Sequence, residues 1–384
     1  MIFLVEPLLF PQAVKTLIVD SIRLENFRNY KDIELNFCDG INIFQGLNGQ
    51  GKTNLLESIY ICSVGKSFRT SKDIEMINHE KEYFTVNVGI KNDATDKIFI
   101  RYDRQKQKAI AVNGIFLRKS GQLMGALLCV LFCPEDLLIL SDGPSRRRRF
   151  LDIAISQLNP LYYYNLQQYT KLTAQKNVQL KQIKKNPKQK DVLFVWNEQI
   201  AEYGSKIIAE RIKFIDVLKD LANESHAYIS EYKEQLVLEY ENTIELNEYD
   251  ERHIKETYIK TLEKIMQREI EREVSLIGPH RDDISFRLND LELKKYGSQG
   301  QKRTAVLSLK IAEIEIMKKN TGRIPILLLD DVMSELDKKR QEALLSYVKG
   351  VQTFITCVDS ESFDQLKDTQ NYIFNISDGA VSKL

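Results

Sequence analysis

The chain has 384 residues, enough for two domains with separate cores, because single cores stop growing near 250 to 300 residues. Its 55 Lys and Arg stand against 54 Asp and Glu, so a net charge of +1 excludes an overall positive field and leaves any attraction to nucleic acid to local patches. The five cysteines (Cys38, Cys62, Cys129, Cys133 and Cys357) are odd in number and lie in apolar surroundings, which suits reduced core thiols better than disulfides. Cys129 and Cys133 have no second ligand pair nearby that would make a zinc site.

Residues 1–10 are apolar, but Glu6 and Pro7 interrupt them and no basic segment precedes them, which makes a poor secretory signal and points to a cytoplasmic protein. Residues 1–16 read as an N-terminal extension with little order. Strand-like runs follow at 17–19, 33–37 and 41–44, separated by the turn formers Asn29 and Asp39-Gly40. The third run leads directly into a glycine-rich loop, after which Leu55, Leu56, Ile59 and Tyr60 recur at helical spacing. Alternating stretches near 83–90, 97–102 and 109–116 predict antiparallel strands, with Asn113-Gly114 as a two-residue hairpin turn. The apolar run 123–133 is about half the length a membrane helix needs and stops at Pro134, so no membrane partner is expected. From 144 to 273 glycine is scarce and Lys, Glu, Gln and Leu dominate, which predicts helices, the longest near 191–240, with a loop at Asn186-Pro187. Strand signals return at 284–288 and at 324–329, the latter a continuous apolar run of the kind buried in a parallel sheet.

The loop Gly46-Leu47-Asn48-Gly49-Gln50-Gly51-Lys52-Thr53 has the residues needed to wrap a polyphosphate. Glycines permit close backbone approach, and consecutive amides plus the following helix N-terminus supply positive potential. Lys52 is expected to reach the β and γ phosphates of ATP, and Thr53 to offer its hydroxyl to Mg²⁺. The matching acid lies at the end of Ile326-Leu327-Leu328-Leu329-Asp330-Asp331, where Asp330 is expected to hold Mg²⁺ and Asp331 to orient or deprotonate the attacking water. Between these two lies Tyr296-Gly297-Ser298-Gln299-Gly300-Gln301, which alone reads as a helix N-cap at Ser298.

Placed about thirty residues before the acidic strand, that segment resembles the signature motif of ABC-type ATPases, and Ser334-Glu335-Leu336-Asp337 resembles their D-loop. The resemblance implies that Ser298, Gly300 and Gln301 cap the γ-phosphate held by a second copy, giving a homodimer on ATP binding. Further stretches narrow the family: Glu25-Asn26-Phe27-Arg28-Asn29-Tyr30, Asn54-Leu55-Leu56-Glu57, Gly65-Lys66-Ser67-Phe68-Arg69, Pro134-Glu135-Asp136-Leu137, Arg147-Arg148-Arg149-Phe150-Leu151-Asp152 and Gly278-Pro279-His280-Arg281-Asp282-Asp283. From Leu17 onward the chain resembles the RecF family, bacterial relatives of the SMC and Rad50 ATPases. The resemblance implies an α/β fold: an ABC-type, Rad50/SMC head-like ATPase lobe with mixed β-sheets at 17–120 and 274–384, and an inserted, mostly helical lobe at 121–273.

It also implies recombinational repair and replication: ATP-dependent binding to DNA near single-strand gaps, weak DNA-stimulated ATP hydrolysis, and help from RecO and RecR type mediators in loading RecA recombinase. Two departures accompany it. Asp331 stands where ABC-type ATPases use a glutamate, and Thr353-Phe354-Ile355-Thr356-Cys357 lacks a switch histidine, so hydrolysis is expected to be slow.

An SMC/Rad50-like structural chromosome ATPase is the alternative, but those heads carry coiled coils of hundreds of residues, for which the interval from Thr53 to Asp330 is too short. The energising subunit of a membrane transporter is a third reading, and such subunits lack a helical insertion this long. Among basic clusters, Arg146 to Arg149 either grip phosphates or pack beside Phe150-Leu151. Lys171, Lys176, Lys181, Lys184, Lys185, Lys188 and Lys190, a window without one acid, either attract a DNA backbone or form a solvated face. His280 and Arg281 report ligand state or belong to a structural network, and Arg28 and Arg69 are nucleotide contacts or surface charges.

Overall fold

A computed structural model describes residues 15–91, 96–348, 350–358 and 371–384. The chain divides into two compact units, Met1–Pro134 with Glu313–Leu384, and Glu135–Ala312.

The first unit begins with β1 (Lys15–Thr16), β2 (Ile18–Phe27), β3 (Tyr30–Asn36) and β4 (Ile41–Gln45), followed by helix α1 (Lys52–Val64). Strands β5 (Tyr83–Lys91), β6 (Lys97–Asp103), β7 (Lys108–Val112), β8 (Ile115–Phe116) and β9 (Cys129–Phe132) come next. An antiparallel sheet has the order β3-β2-β5-β6-β7-β8. Alternation sets its faces: Ile98, Ile100 and Tyr102 of β6 point inward. Asn113 and Gly114, both at positive φ (52° and 79°), make the expected two-residue turn between β7 and β8.

In the second unit lie α2 (Leu138–Ser141), α3 (Pro144–Leu158), α4 (Pro160–Lys185), α5 (Leu193–Ile229) and α6 (Glu251–Arg272). With them are β10 (Leu236–Glu241), β11 (Asp283–Leu288), β12 (Leu291–Glu292), which form one antiparallel sheet, and the short α7 (Leu293–Tyr296). Helix α8 (Gln299–Thr321) contains the division at Ala312/Glu313. The first unit resumes with β13 (Arg323–Ile324), β14 (Ile326–Asp330), α9 (Lys338–Val348), β15 (Thr353–Cys357), β16 (Asn371–Ser377) and β17 (Ala380–Lys383).

A second six-stranded sheet runs β17-β16-β4-β15-β14-β9, parallel except for the β16/β17 hairpin. Every residue of β14 and β15 is buried, as strands covered on both faces require. Helix α1 contacts strands of both sheets, and 11 of its 13 residues are buried, so it is not amphipathic but enclosed. Leu55, Leu56 and Ile59 are fully buried there, each stabilising the unit by roughly 1.5–3 kcal/mol.

Several expectations change. Of the extension at 1–16, residues 1–14 lie outside the described residues, while Lys15 and Thr16 pair in parallel with Arg323 and Ile324. The apolar run 123–133 yields β9, which the sheet needs beside β14. Boundaries at 121 and 273 therefore differ from the compact units: β9 joins the first, and β11 joins the second through its pairing with β10. The longest helix ends at Ile229, because Leu236-Val237-Leu238-Glu239-Tyr240-Glu241 pairs residue for residue with β11 instead of continuing it. All five cysteines are buried. No helix among the described residues is long and apolar enough to cross a membrane.

Candidate nucleotide-binding site

The glycine-rich loop lies between β4 and α1, as the sequence order demands. Gly46 has φ 150° and a Cβ there would strike the Ile376 carbonyl, while Gly51 has φ 119° and a Cβ would collide with the Asn29 side chain. Side chains from elsewhere fix the loop's course. Asn29 Nδ2 donates to Gln50 O at 2.9 Å, and the Tyr30 hydroxyl donates to Gly51 O at 2.9 Å. The β16/β17 turn adds the Asp378 amide on Gln50 Oε1 at 2.5 Å and the Gly379 amide on Gln50 O at 3.3 Å.

Lys52 Nζ donates to Gly46 O (2.6 Å), Leu47 O (3.0 Å) and Asn48 Oδ1 (3.4 Å), so its ammonium sits inside the curl of the loop. Burial pulls its pKa below the ordinary lysine value, opposed by the charges of Asp331 and Asp330. Thr53 Oγ1 donates to Asp330 Oδ1 at 2.9 Å, and the same oxygen accepts from Thr356 Oγ1 at 2.9 Å. Thr356 in turn accepts the Asp331 amide at 2.8 Å. Asp331 leaves the strand in a left-handed conformation, φ 53°, with its carbonyl accepting from the Ser334 hydroxyl at 2.8 Å. That turn directs the two neighbouring carboxylates differently: Asp330 is buried against two hydroxyls, and Asp331 is partly exposed beside the Ser334 segment.

Arg28 and Arg69 converge with α1 on a third carboxylate, Glu57, which is fully buried. Arg28 grips it with Nε at 2.8 Å and Nη2 at 2.7 Å, the Ser67 hydroxyl donates to it, and Arg69 lies 3.7 Å away. Arg69 also donates to Asn54 Oδ1 at 2.6 Å, and Asn54 donates to Asn29 at 2.8 Å, which returns the network to the loop. Three stretches far apart in sequence thus serve one purpose, holding α1 and the loop it follows. Arg28 is a structural partner and not a surface charge.

In the second unit, Ser298 and Gln301 form a reciprocal cap at the start of α8. The Ser298 amide donates to Gln301 Oε1 (2.8 Å) and the Gln301 amide to Ser298 Oγ (3.2 Å). Gln301 Nε2 is also fixed on Glu234 at 2.8 Å. Gly300, the second residue of the helix, lies between them.

The same unit resolves the basic clusters. Arg147 is buried and pairs bidentately with Asp283 at 2.6 and 2.8 Å, so it packs. Lys176 is fully buried against Glu269 at 2.6 Å and leaves the lysine window, whereas Lys171, Lys181, Lys185, Lys188 and Lys190 are exposed and Lys184 pairs with Glu273. His280 Nε2 faces Ser275 O (3.2 Å) and Nδ1 faces the Tyr169 hydroxyl (2.7 Å). Burial lowers its pKa from 6.5 to about 4, so it is a neutral structural residue. The carbonyl of Ser275 can only accept, which puts the ring proton on Nε2.

Nothing in the local pattern assigns Tyr30 to the loop, Gln50 to the β16/β17 turn, or Thr356 to Asp330. Thr356 acts only because the parallel register sets it opposite Asp330.

The RecF/RecN/SMC N terminal domain family matches residues 18–381. A DNA replication and repair protein RecF of Ruminiclostridium cellulolyticum is 46% identical over 368 residues, covering 95% of this chain and 99% of its own. The protein of that description in Acetivibrio thermocellus is 45% identical over 363 residues, covering 94% and 98%. Among solved structures, the recombination mediator protein RecF-ATPrS in the RecFOR pathway superposes with a TM-score of 0.90 at 39% identity, covering 97% of this chain and 99% of that one. An Smc head domain from Pyrococcus furiosus, at 16% identity and a TM-score of 0.54, covers 96% of each chain and shares the fold alone. With a family match along nearly the whole chain and relatives this similar from end to end, the chain belongs to the RecF family.

Proposed function

We propose that residues Gly46 to Thr53 bind ATP with Mg²⁺, and that this binding gates attachment to DNA in replication and repair. The observation that carries the reading is the 2.9 Å bond from Thr53 Oγ1 to Asp330 Oδ1, which unites the loop and the acidic strand end. A hydroxyl and a carboxylate at one point form the hard-oxygen set Mg²⁺ prefers, and a loop too tight for any Cβ at Gly46 fits backbone wrapped on phosphates. ATP supplies the phosphoanhydride to be cleaved. Lys52, already inside the loop, neutralises phosphate charge by exchanging its carbonyl partners. Thr53 and Asp330 hold the metal. Asp331, turned out of the strand and partly exposed, orients the attacking water and accepts its proton slowly, without a histidine in Thr353–Cys357.

Ser298, Gly300 and Gln301 meet the γ-phosphate of a second copy, so ATP joins two chains. The reciprocal cap of Ser298 and Gln301 fixes the start of α8, a helix N-terminus whose positive potential favours an anion. On gapped DNA the dimer assists RecO and RecR type mediators in placing RecA, a part of the reading that rests on family membership. The test is fluorescence anisotropy on gapped duplex with ATP, ADP or no nucleotide, using the wild type and Lys52→Ala. Tighter binding with ATP that Lys52→Ala abolishes is expected; binding that ignores nucleotide sinks the reading.

A further inference from the structure

The segment Gly278-Pro279-His280-Arg281-Asp282-Asp283 is held at almost every position. A Cβ on Gly278 (φ 111°) would collide with the hydroxyls of Tyr258 and Tyr169. Pro279 O accepts from the buried Arg211 at 2.6 Å, and His280 is fixed as described. Asp282, fully buried, accepts from Tyr240 at 2.7 Å and from the Thr243 amide and hydroxyl at 2.9 and 2.7 Å. Asp283 is taken by Arg147.

Arg281 is the exception. Its side chain is exposed, and Nε alone is engaged, on Ser275 O at 3.2 Å, which fixes the guanidinium plane while its two terminal nitrogens bond no other group among the described residues. Arg148 repeats the arrangement from α3: Nη1 donates to Asp282 O at 2.7 Å and the residue is partly exposed. The carbonyl that Arg148 holds belongs to Asp282, the residue that follows Arg281, so the two side chains are anchored on one short stretch of chain. Two guanidinium groups, each anchored through one nitrogen to a carbonyl of a rigid segment, form a pre-set pair of forks. Such forks match phosphate oxygens, and anchoring lowers the side-chain entropy lost on binding.

We propose that Arg148 and Arg281 form a phosphate site of the helical unit that takes the DNA backbone. This deepens the DNA-binding reading and rests on it. A backbone phosphate is favoured over a base because forks held on carbonyls carry no sequence-reading partner beside them.

The experiment is gapped-duplex binding by anisotropy over a series of salt concentrations, on the full chain with ATP and without nucleotide, for the wild type, Arg281→Gln, Arg281→Lys and Arg148→Gln/Arg281→Gln. Fluorescent ATP-analogue binding, sedimentation with ATP in the absence of DNA, and thermal unfolding are read on the same samples. The double variant is expected to bind DNA roughly tenfold more weakly or worse, with the salt slope reduced by about 1.8. Arg281→Lys recovers part of the loss, and nucleotide affinity stays unchanged. Unchanged DNA affinity and slope in the double variant overturn the site. Loss of ATP-driven dimerisation without DNA assigns the forks to a nucleotide phosphate instead and overturns the DNA source. Should Arg148→Gln unfold the unit, Arg281→Gln alone decides, with a slope change of about 0.9. The wild-type arm without nucleotide separates this outcome from failure of ATP gating, since the variant difference is read wherever wild type binds.

Discussion

Thr53 Oγ1 and Asp330 Oδ1 lie 2.9 Å apart although 277 residues separate them, and Thr356 Oγ1 shares the same carboxylate oxygen. Thr53→Val and Asp330→Asn are therefore expected to weaken Mg²⁺-dependent nucleotide binding by tenfold or more, since each removes a ligand of a hard cation. Thr53→Ser, which keeps the hydroxyl, retains most of it. Thr356→Val costs only about 1 kcal/mol of positioning. Titration with a fluorescent ATP analogue, with and without Mg²⁺, checks the order; equal losses for Thr53→Ser and Thr53→Val would refute it.

Arg28 and Glu57 give a stability test. Replacing Arg28 by Ala leaves a fully buried carboxylate with Ser67 and a more distant Arg69, a change expected to cost about 3 kcal/mol. Glu57→Gln, which removes the charge together with its need for a partner, costs less. Urea unfolding of the two variants reads the difference, and a smaller loss for Arg28→Ala than for Glu57→Gln would contradict the assignment.

Lys176 and its exposed neighbours separate packing from surface charge. Lys176→Ala strands Glu269 in the core and is expected to destabilise the helical unit by roughly 3 kcal/mol. Lys181→Ala with Lys185→Ala leaves stability within about 0.5 kcal/mol. Chemical denaturation distinguishes them; a silent Lys176→Ala would mean that the pair is solvated.

His280 supplies a pH dependence. In the folded chain its pKa is about 4 against an ordinary 6.5, so the unfolded chain takes up the proton first as pH falls. The stability it confers is complete above pH 6.5 and is lost as pH drops from there through 4. His280→Gln, neutral throughout, removes this component. The stability advantage of the wild type over the variant is expected to shrink by about 2 kcal/mol from pH 7 to pH 5. An advantage equal at both values would rule out the buried neutral ring.

Local pattern carried the loop, its helix, the acidic strand and the N-cap at Ser298, since each is written in consecutive residues. What could not be read depends on partners. Glu57 looks like an ordinary helical acid until β2 and the segment after α1 bring Arg28 and Ser67 to it. Lys176 looks solvated in a basic window, and only α6 supplies Glu269. The strand β10 alternates, but it adjoins a long helical stretch, and pairing with β11 decided between the two. For the same reason the unit boundaries moved: a four-residue strand, β9, belongs wherever β14 needs a neighbour.

The position of β4 has a consequence for synthesis. Its two neighbours in the sheet are β15 and β16, so Ile41 pairs with Thr353 and Asn371. When the ribosome has made the loop and α1, the strand that carries them still has both edges unpaired. The nucleotide site is thus among the last parts of the molecule to be finished, and the nascent chain must keep an apolar strand from pairing wrongly through most of translation. Non-local pairing of this kind slows folding and prolongs exposure to aggregation. A nascent-chain proteolysis profile would show protection of β4 arriving only after residues 371–377 have emerged.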